Sequence, residues 1–461
     1  MKLWVGVGAF VLTQAGTQAI APAAIPETPA VEAPSLVVGD VRGDVRGDRL
    51  PAFPTSPAPN SFMFLQAGGE GGEGGEGGEG GEGGEGGAAV RPAGLCTAVA
   101  VDGGGEGGES GVSEPAASPV RIYGAAVEPE AVFGDRQLLS TFVNSVILPT
   151  YEQLVTQANQ LDRAIAQFSV NPTEPNLRAA RQAWLAARLP WESSESFAFG
   201  PAASLGYDAG LDDWPVNEVD VTAVLQSQDA LTPDYLTTLQ TSQKGFHTIE
   251  FLLFGPANNK RLTDFSPREL EYLQLIGADF VATAENLLTS WSQGVEGYPA
   301  YRTEFEQAGD RSTAYPTPQA AIAELVQGMI DILDELGTVK IGEALAAQNP
   351  FLLESRFSQS SLQDFYQNLR SVEMAYFAGS ANRPDRHSLS VYIARVDPAL
   401  DAQVRQYLLA ADAALKAIPG PIESTICDPA AQPRIAAARD SVLTLRSVLE
   451  QWVMPLVQAP L

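Results

Sequence analysis

The chain has 461 residues, 45% of them hydrophobic, which is enough for two domains of ordinary size plus extra segments. Lys and Arg number 28 against 56 Asp and Glu, a formal charge of −28; this works against nucleic acid or an anionic membrane surface as partner and leaves cations and basic partners open. Two cysteines, Cys96 and Cys427, are too few for a disulfide framework, although one bridge stays open, and with only two histidines, His247 and His387, any bound metal has to rely on carboxylates.

Met1-Lys2 precedes an apolar run from Leu3 to about Leu12 and then small residues through Ala24. That order is the basic start, apolar middle and small-residue exit of a secretory signal, and the run is too short to span a membrane. The expectation is cleavage between Ala19 and Ala24 and a mature chain without a transmembrane domain. From about Pro26 to Ala126 the chain is rich in Pro, Gly and Glu, with six consecutive Gly-Gly-Glu triplets from Gly68 to Glu85. Such a stretch cannot bury enough apolar surface to offset its ordering entropy, so a disordered acidic tether is expected. The sequence Ala93-Gly-Leu-Cys96 has the look of a lipoprotein box but lies far from the apolar run, with Leu directly before Cys, so lipidation is not expected.

Beyond about Ala131 helical patterns follow one another with almost no strand-like alternation. Phe142, Val146, Pro149 and the stretch Leu154 to Ile165 predict a long helix kinked at Pro149. Asn176 to Phe199 predicts the next, with Trp184, Arg188, Trp191 and Glu195 on one stripe, Pro190 as a kink and Gly200-Pro201 as the stop. Arg188 and Glu195 on that stripe form either a structural ion pair or part of a ligand site.

Lys244 to Gly255 reads KGFHTIEFLLFG, a helix apolar on nearly every face that carries His247 and Glu250 three residues apart. Residues at that spacing are neighbours on one helix face. An ionised carboxylate in such surroundings is costly unless paired or bonded to a metal, so the pair is either a satisfied core hydrogen bond or the seat of a metal or ligand site. Helical patterns resume at Pro267 to Trp291, Thr317 to Leu336, Ser361 to Phe377, Pro398 to Ile418 and Pro433 to Val453. Ser361 and Asp364 have the spacing of a capping box, and Glu354 to Ser358 (ESRFS) is a polar cluster at that helix entrance, where free N–H groups favour anions. The organisation expected is a signal peptide at 1–24, the tether at 25–126, a first helical bundle at 127–258 and a second at 259–461.

Four blocks in this order resemble the imelysin-like proteins, a family classed among peptidases, and within them the iron-regulated protein A branch. The blocks are Gly245-Phe-His247-Thr-Ile-Glu250 as a GxHxxE motif, Ala186 to Pro201, Asp212 to Glu218 (DDWPVNE) and Glu354 to Gly379. The resemblance covers roughly Ala131 to Ile418. It implies a secreted all-α protein of two bundle-like halves with a pocket at their junction, fed by Arg188, Glu195, His247 and Glu250 from the first half and by Glu354, Ser355, Ser358 and Asn368 from the second. It also implies a link to iron uptake or iron response at the cell envelope.

A peptidase needs more than this motif. Zincins carry HExxH and inverzincins HxxEH, whereas Glu250 is followed by Phe251 with no second histidine at helical spacing. Catalytic zinc takes three protein ligands plus water, so a third would have to come from Glu195, Glu354 or His387. A serine triad through Ser355 or Ser358 lacks a GxSxG elbow. The reading preferred from the sequence is a non-enzymatic exported protein, in the periplasm or at the outer membrane or cell surface, that binds iron or an iron-linked ligand at the interface of two helical bundles, with an envelope iron-transport component as a candidate partner; the alternative is a metallopeptidase using His247 and Glu250. Imidazole with carboxylates suits iron or zinc better than calcium. Because the low-complexity stretch carries too little apolar surface to pack, deletion of Pro26 to Ala126 is expected to leave the melting temperature nearly unchanged in a thermal unfolding experiment; a large drop would mean that it packs on the helices.

Overall fold

The computed structural model describes residues 136–459, which fall within one compact unit. The expected signal peptide, the tether and Cys96 lie outside the described residues. The described part is all-α, with no strand and a single isolated bridge between Ser380 and Arg383. Eight helices carry most of the core: α1 (Leu148–Val170), α2 (Glu174–Glu192), α3 (Gly245–Phe254), α4 (Pro267–Ser292), α5 (Pro318–Asp334), α6 (Ser361–Phe377), α7 (Pro398–Lys416) and α8 (Gln432–Val448). None of them is long and apolar enough to cross a membrane. Cys427, on the stretch between α7 and α8, is disulfide-bonded.

The helices pack as two sets of four. In the first, α1 lies between α2 and α4, and α3 closes the ring by touching α2 and α4. In the second, α5 touches α6 and α8, and α7 touches the same two. Helix α4, which follows the expected boundary at 258, packs along α1 of the first set. The sets are joined where α2 meets α6 and where a short turn, Glu195–Phe197, meets α5 and α6. Gly328 on α5 permits that junction, because a Cβ there would lie 2.2 Å from the Ser196 carbonyl oxygen.

Local chemistry explains the element ends. A π turn at Val143–Ile147 runs without a break into α1, whose second residue is Pro149; the proline brings no N–H to the helical ladder there, and the wide turn stands where that bond is missing. Helix α2 starts on Thr173, whose side chain accepts from the Asn176 N–H. It ends at Glu192 rather than at Phe199, because Pro190 withholds a hydrogen bond and the Ser194 hydroxyl takes the Trp191 carbonyl at 2.6 Å. Glu195 therefore leaves the predicted stripe. The capping box expected at Ser361 is also absent: Ser361 is the first helical residue, its N–H donates to Glu423 Oε1 at 3.0 Å, and Asp364 turns into the core instead.

Helix α3 is buried on every side but Phe251. Trp184 of α2 donates its indole N–H to the Phe246 carbonyl at 2.9 Å, and Phe246 meets Phe280 of α4 at a centroid distance of 4.4 Å. Burial of each such ring contributes roughly 1.5–3 kcal/mol. Gly245 opens α3 at φ 75, and a Cβ there would stand 2.5 Å from the Leu211 carbonyl oxygen. Gly245→Ala is accordingly expected to destabilise the fold by about 1–3 kcal/mol, read as a lower melting temperature; an unchanged one would show that this turn adapts freely.

Candidate functional site

The junction of the two sets holds a cluster of buried polar side chains. Helix α2 supplies Arg188 and Glu192, the turn after it Glu195, the short helix Tyr207–Asp212 its last residue, and α3 His247 and Glu250. From the second set come Lys340 on a π-helical stretch (Glu335–Glu343), Glu354 and Ser355 on the loop before α6, and Asp364 and Asn368 on α6 itself. All of these are at most 2% exposed. Seven of the sequence-predicted residues, Arg188, Glu195, His247, Glu250, Glu354, Ser355 and Asn368, thus come together here. Ser358, the eighth, sits half-buried at the edge.

Arg188 is the centre of the cluster. Its guanidinium pairs with Glu192 one helical turn on and with Asp212, reaches Glu354 at 3.5 Å and Asp364 at 3.6 Å, and lies over the Phe246 ring at 4.9 Å. These four carboxylates surround it, while Glu195, expected on the same helical stripe, lies in the turn after the helix. Asp212 is shared: one oxygen faces Arg188 and His247 Nε2 (3.1 Å from the latter), and the other accepts the Trp191 indole N–H at 2.7 Å. Lys340 places its ammonium 2.7 Å from Glu354 Oε2 and 3.5 Å from Glu192 Oε2, and Asn368 donates to Glu192 Oε2 at 2.6 Å.

His247 and Glu250 stand side by side as their spacing requires, Nδ1 to Oε2 at 3.0 Å. The second Glu250 oxygen accepts from both the N–H and the hydroxyl of Ser358, each at 2.7 Å. This leaves His247 Nε2 facing Asp212 and, at 3.7 Å, Glu354 Oε1. Among the described residues three groups of donors lie close enough for a metal ion: Asp212, His247 and Glu354; Glu192, Glu354 and Asp364; and Glu192, Glu195 and Asp212. Glu250 belongs to none of them. Every member of the second group faces Arg188, and so do the two oxygens of the first, Asp212 Oδ1 and Glu354 Oε1; what sets the first apart is the His247 Nε2 nitrogen, 3.1 Å and 3.7 Å from those oxygens, near the roughly 3–3.5 Å that ligands take around one ion with bonds of about 2.0–2.2 Å. Asn368 Oδ1 is buried beside them without a hydrogen-bond partner. His387 lies on a separate loop, 3.7 Å from Asp385, and is not brought to the cluster.

Sequence reasoning missed Glu192, Asp212, Lys340 and Asp364 as site residues. Glu192 stands one turn beyond Arg188 and could have been paired with it by spacing. Asp212 lay inside a recognised block without a role, and Asp364 was read as a cap. Lys340 had one weak signal, its place between Val339 and Ile341.

Six carboxylates face three basic groups in a space closed to water, and the charges settle accordingly. Burial pulls the His247 imidazolium down, but hydrogen bonds to Asp212, Glu250 and Glu354 outweigh it and hold the ring protonated well above its ordinary range. Burial likewise opposes the charges of Arg188 and Lys340, and the surrounding carboxylates reverse it. Burial raises Glu354, yet Lys340 and His247 bring it below the usual carboxylate range. Asp364 and Glu192 go the other way: burial, with like charges nearby, raises both despite Arg188. The cluster without an ion is therefore short of positive charge, and two of its acids hold protons readily.

The sign of the pH dependence follows. His247 has a folded value above its ordinary 6.5, so its contribution to stability is full below about 6.5 and is lost as pH rises through the folded value. Glu354 is lowered from 4.5, so its contribution is full above about 4.5 and is lost as pH falls. The melting temperature of the metal-free chain is expected to fall as pH is raised from about 6.5 to 9, and His247→Gln is expected to flatten that limb at a cost of about 1–3 kcal/mol at neutral pH. A wild-type limb that stays flat would contradict an imidazolium at this position.

Known proteins share this arrangement of helices. The peptidase M75 model, Imelysin, matches residues 147–449. Iron-regulated protein A of Synechococcus elongatus is 35% identical over 338 residues, which covers 73% of this chain and 90% of that protein. The crystal structure of an iron-regulated protein A precursor from Parabacteroides distasonis, 25% identical, covers 68% of this chain and 93% of its own with a TM-score of 0.63. An imelysin-like protein from Psychrobacter arcticum, 14% identical, shares the fold over 73% of this chain and 98% of its own with a TM-score of 0.58. The chain belongs to the imelysin family.

Proposed function

We propose that the chain is an exported protein of the cell envelope that binds iron, or an iron-linked ligand, in the buried cluster between its two helix sets without altering it chemically. The observation that carries the proposal is the convergence of His247 Nε2, Asp212 Oδ1 and Glu354 Oε1 from three separate segments in a closed, electron-rich space. Nitrogen and carboxylate oxygen together suit iron or zinc. A cation entering there would supply the positive charge that the cluster lacks, and His247 has to lose its proton to ligate, so affinity should rise with pH. The names of two relatives, iron-regulated protein A of one organism and an iron-regulated protein A precursor of another, support a role in iron uptake or iron response and an exported location, in the periplasm or at the outer membrane or cell surface. An envelope iron-transport component is the partner that such a role calls for.

His247 and Glu250 divide the work. Glu250 fixes the tautomer and orientation of the ring through Nδ1 and is itself held by Ser358, the arrangement by which a carboxylate strengthens a ligating histidine. This favours binding over peptidase chemistry, because both Glu250 oxygens are engaged and neither is left to activate a water.

The proposal is tested by calorimetric titration of purified chain, wild type and variants, with ferrous iron and zinc, alongside digestion of a peptide library. Wild type is expected to take up one ion and to gain thermal stability with ion concentration as RT ln(1 + [L]/Kd). His247→Gln, Asp212→Asn and Glu354→Gln are each expected to weaken binding by 10-fold or more, on the order of the loss seen when a ligand or its orienting partner is removed. Identical heats for wild type and His247→Gln would refute the site, and peptide cleavage lost with the same substitutions would restore the peptidase reading.

A further inference from the structure

Lys340 is completely buried and has no part in the binding reading, yet it contacts that site more directly than any other residue of its segment. It stands on the π-helical stretch Glu335–Glu343, between α5 and the short helix Ala344–Ala347, and that stretch packs on α8. The face it presents to the core is otherwise apolar, with Leu336, Gly337 and Ile341 buried beside it. Removing an ammonium from water is costly, and it is tolerated here because three carboxylates surround it: Glu354 at 2.7 Å, Glu192 at 3.5 Å and Glu335 at 4.0 Å. Glu335 is the partly exposed member; the other two belong to the candidate donor groups.

The geometry divides the two oxygens of Glu354 among three basic groups. Its Oε2 faces Lys340, and its Oε1 faces His247 and Arg188. An ion held by Oε1 would share one carboxylate with the Lys340 ammonium, and the two positive charges would lie roughly 6 Å apart. At an effective dielectric of about 20, repulsion between unit charges at that distance changes an equilibrium constant on the order of 10- to 100-fold. Lys340 cannot leave, because its backbone is part of a packed helix. It is a permanent competitor for the negative charge of the cluster.

We infer that Lys340 is a resident counter-ion that limits the affinity of the site for a metal cation, so that capture stays reversible. The inference rests on the binding reading above and adds a property to it: a site built to give up its ion and not merely to hold it. Arg188 has the same sign, but its guanidinium holds four carboxylates together and removing it would break the junction. Lys340 is the residue at which the charge can be changed alone.

The test measures zinc affinity by calorimetry at fixed pH for two pairs of proteins: wild type against Lys340→Met, and Glu192→Gln against the double variant Glu192→Gln/Lys340→Met. Methionine keeps the length of the side chain and removes its charge. In the second pair one of the facing carboxylates is neutral as well, so the double variant keeps the net charge of wild type and is expected to fold even where Lys340→Met alone does not. Loss of Lys340 is expected to tighten zinc binding at least 10-fold within each pair, the lower end of the repulsion given above. Tightening is the decisive readout, because damage to a merely structural residue weakens binding or leaves it unchanged. Equal or weaker affinity on loss of Lys340, with wild type binding zinc, would overturn this inference and leave the binding site standing. Absence of zinc binding by wild type and all variants would overturn both.

Discussion

The structure depends on one buried guanidinium. Arg188 is 1% exposed and stands among Glu192, Asp212, Glu354 and Asp364, which arrive from four segments and both helix sets. Without it, those carboxylates would be buried together with little to balance them, and breaking a buried pair is far more costly than never having made one. The same contact that holds the sets together therefore also brings the chemistry of the cluster into one place. The planar guanidinium suits this position because it can face several carboxylates at once while its ring-like face rests on Phe246 and, at 6.0 Å, Trp184.

Around that contact the backbone is shaped by exceptions to regular helix. Pro190 and Ser194 end α2 early, so Glu195 lies in a turn against α5 and α6. Gly245 turns the chain sharply into α3 beneath the Leu211 carbonyl, which sets His247 against Asp212 on the neighbouring residue. The π stretch before Ala344 carries Lys340 into the core, and wide turns of this kind recur where a helix has to present a residue that the regular repeat would not. Each departure coincides with a member of the cluster.

The electrostatic result is an uneven balance. Arg188, Lys340 and a protonated His247 face six carboxylates, and the shortfall shows in Asp364 and Glu192, which burial and their like-charged neighbours make easier to protonate. Within that balance Glu250 and Ser358 fix the imidazole, Glu250 Oε2 against Nδ1 and Oε1 against the Ser358 N–H. The acidic character of the whole chain, −28, is a separate matter, since it is spread well beyond both this cluster and the six Glu of the Gly-Gly-Glu triplets.

Periodicity and local spacing were enough to reach the all-α class, the positions of most helices and the juxtaposition of His247 with Glu250, because helix formation and an i, i+3 pair are set by residues close in sequence. The four matched blocks extended this to seven residues that do meet in the core. What local pattern misplaced were the helix ends at Ser194 and Ser361, where a proline and a distant glutamate decide, and with them the partner of Arg188 and the direction of Asp364. Asp212 had no role within its block, and the neighbours of Lys340 did not say which carboxylates it would meet. Each is an ordinary charged residue until two helix sets close over it, and only tertiary burial, which removes water and leaves other charges as the sole partners, decides which of the carboxylates and lysines of this chain become a site.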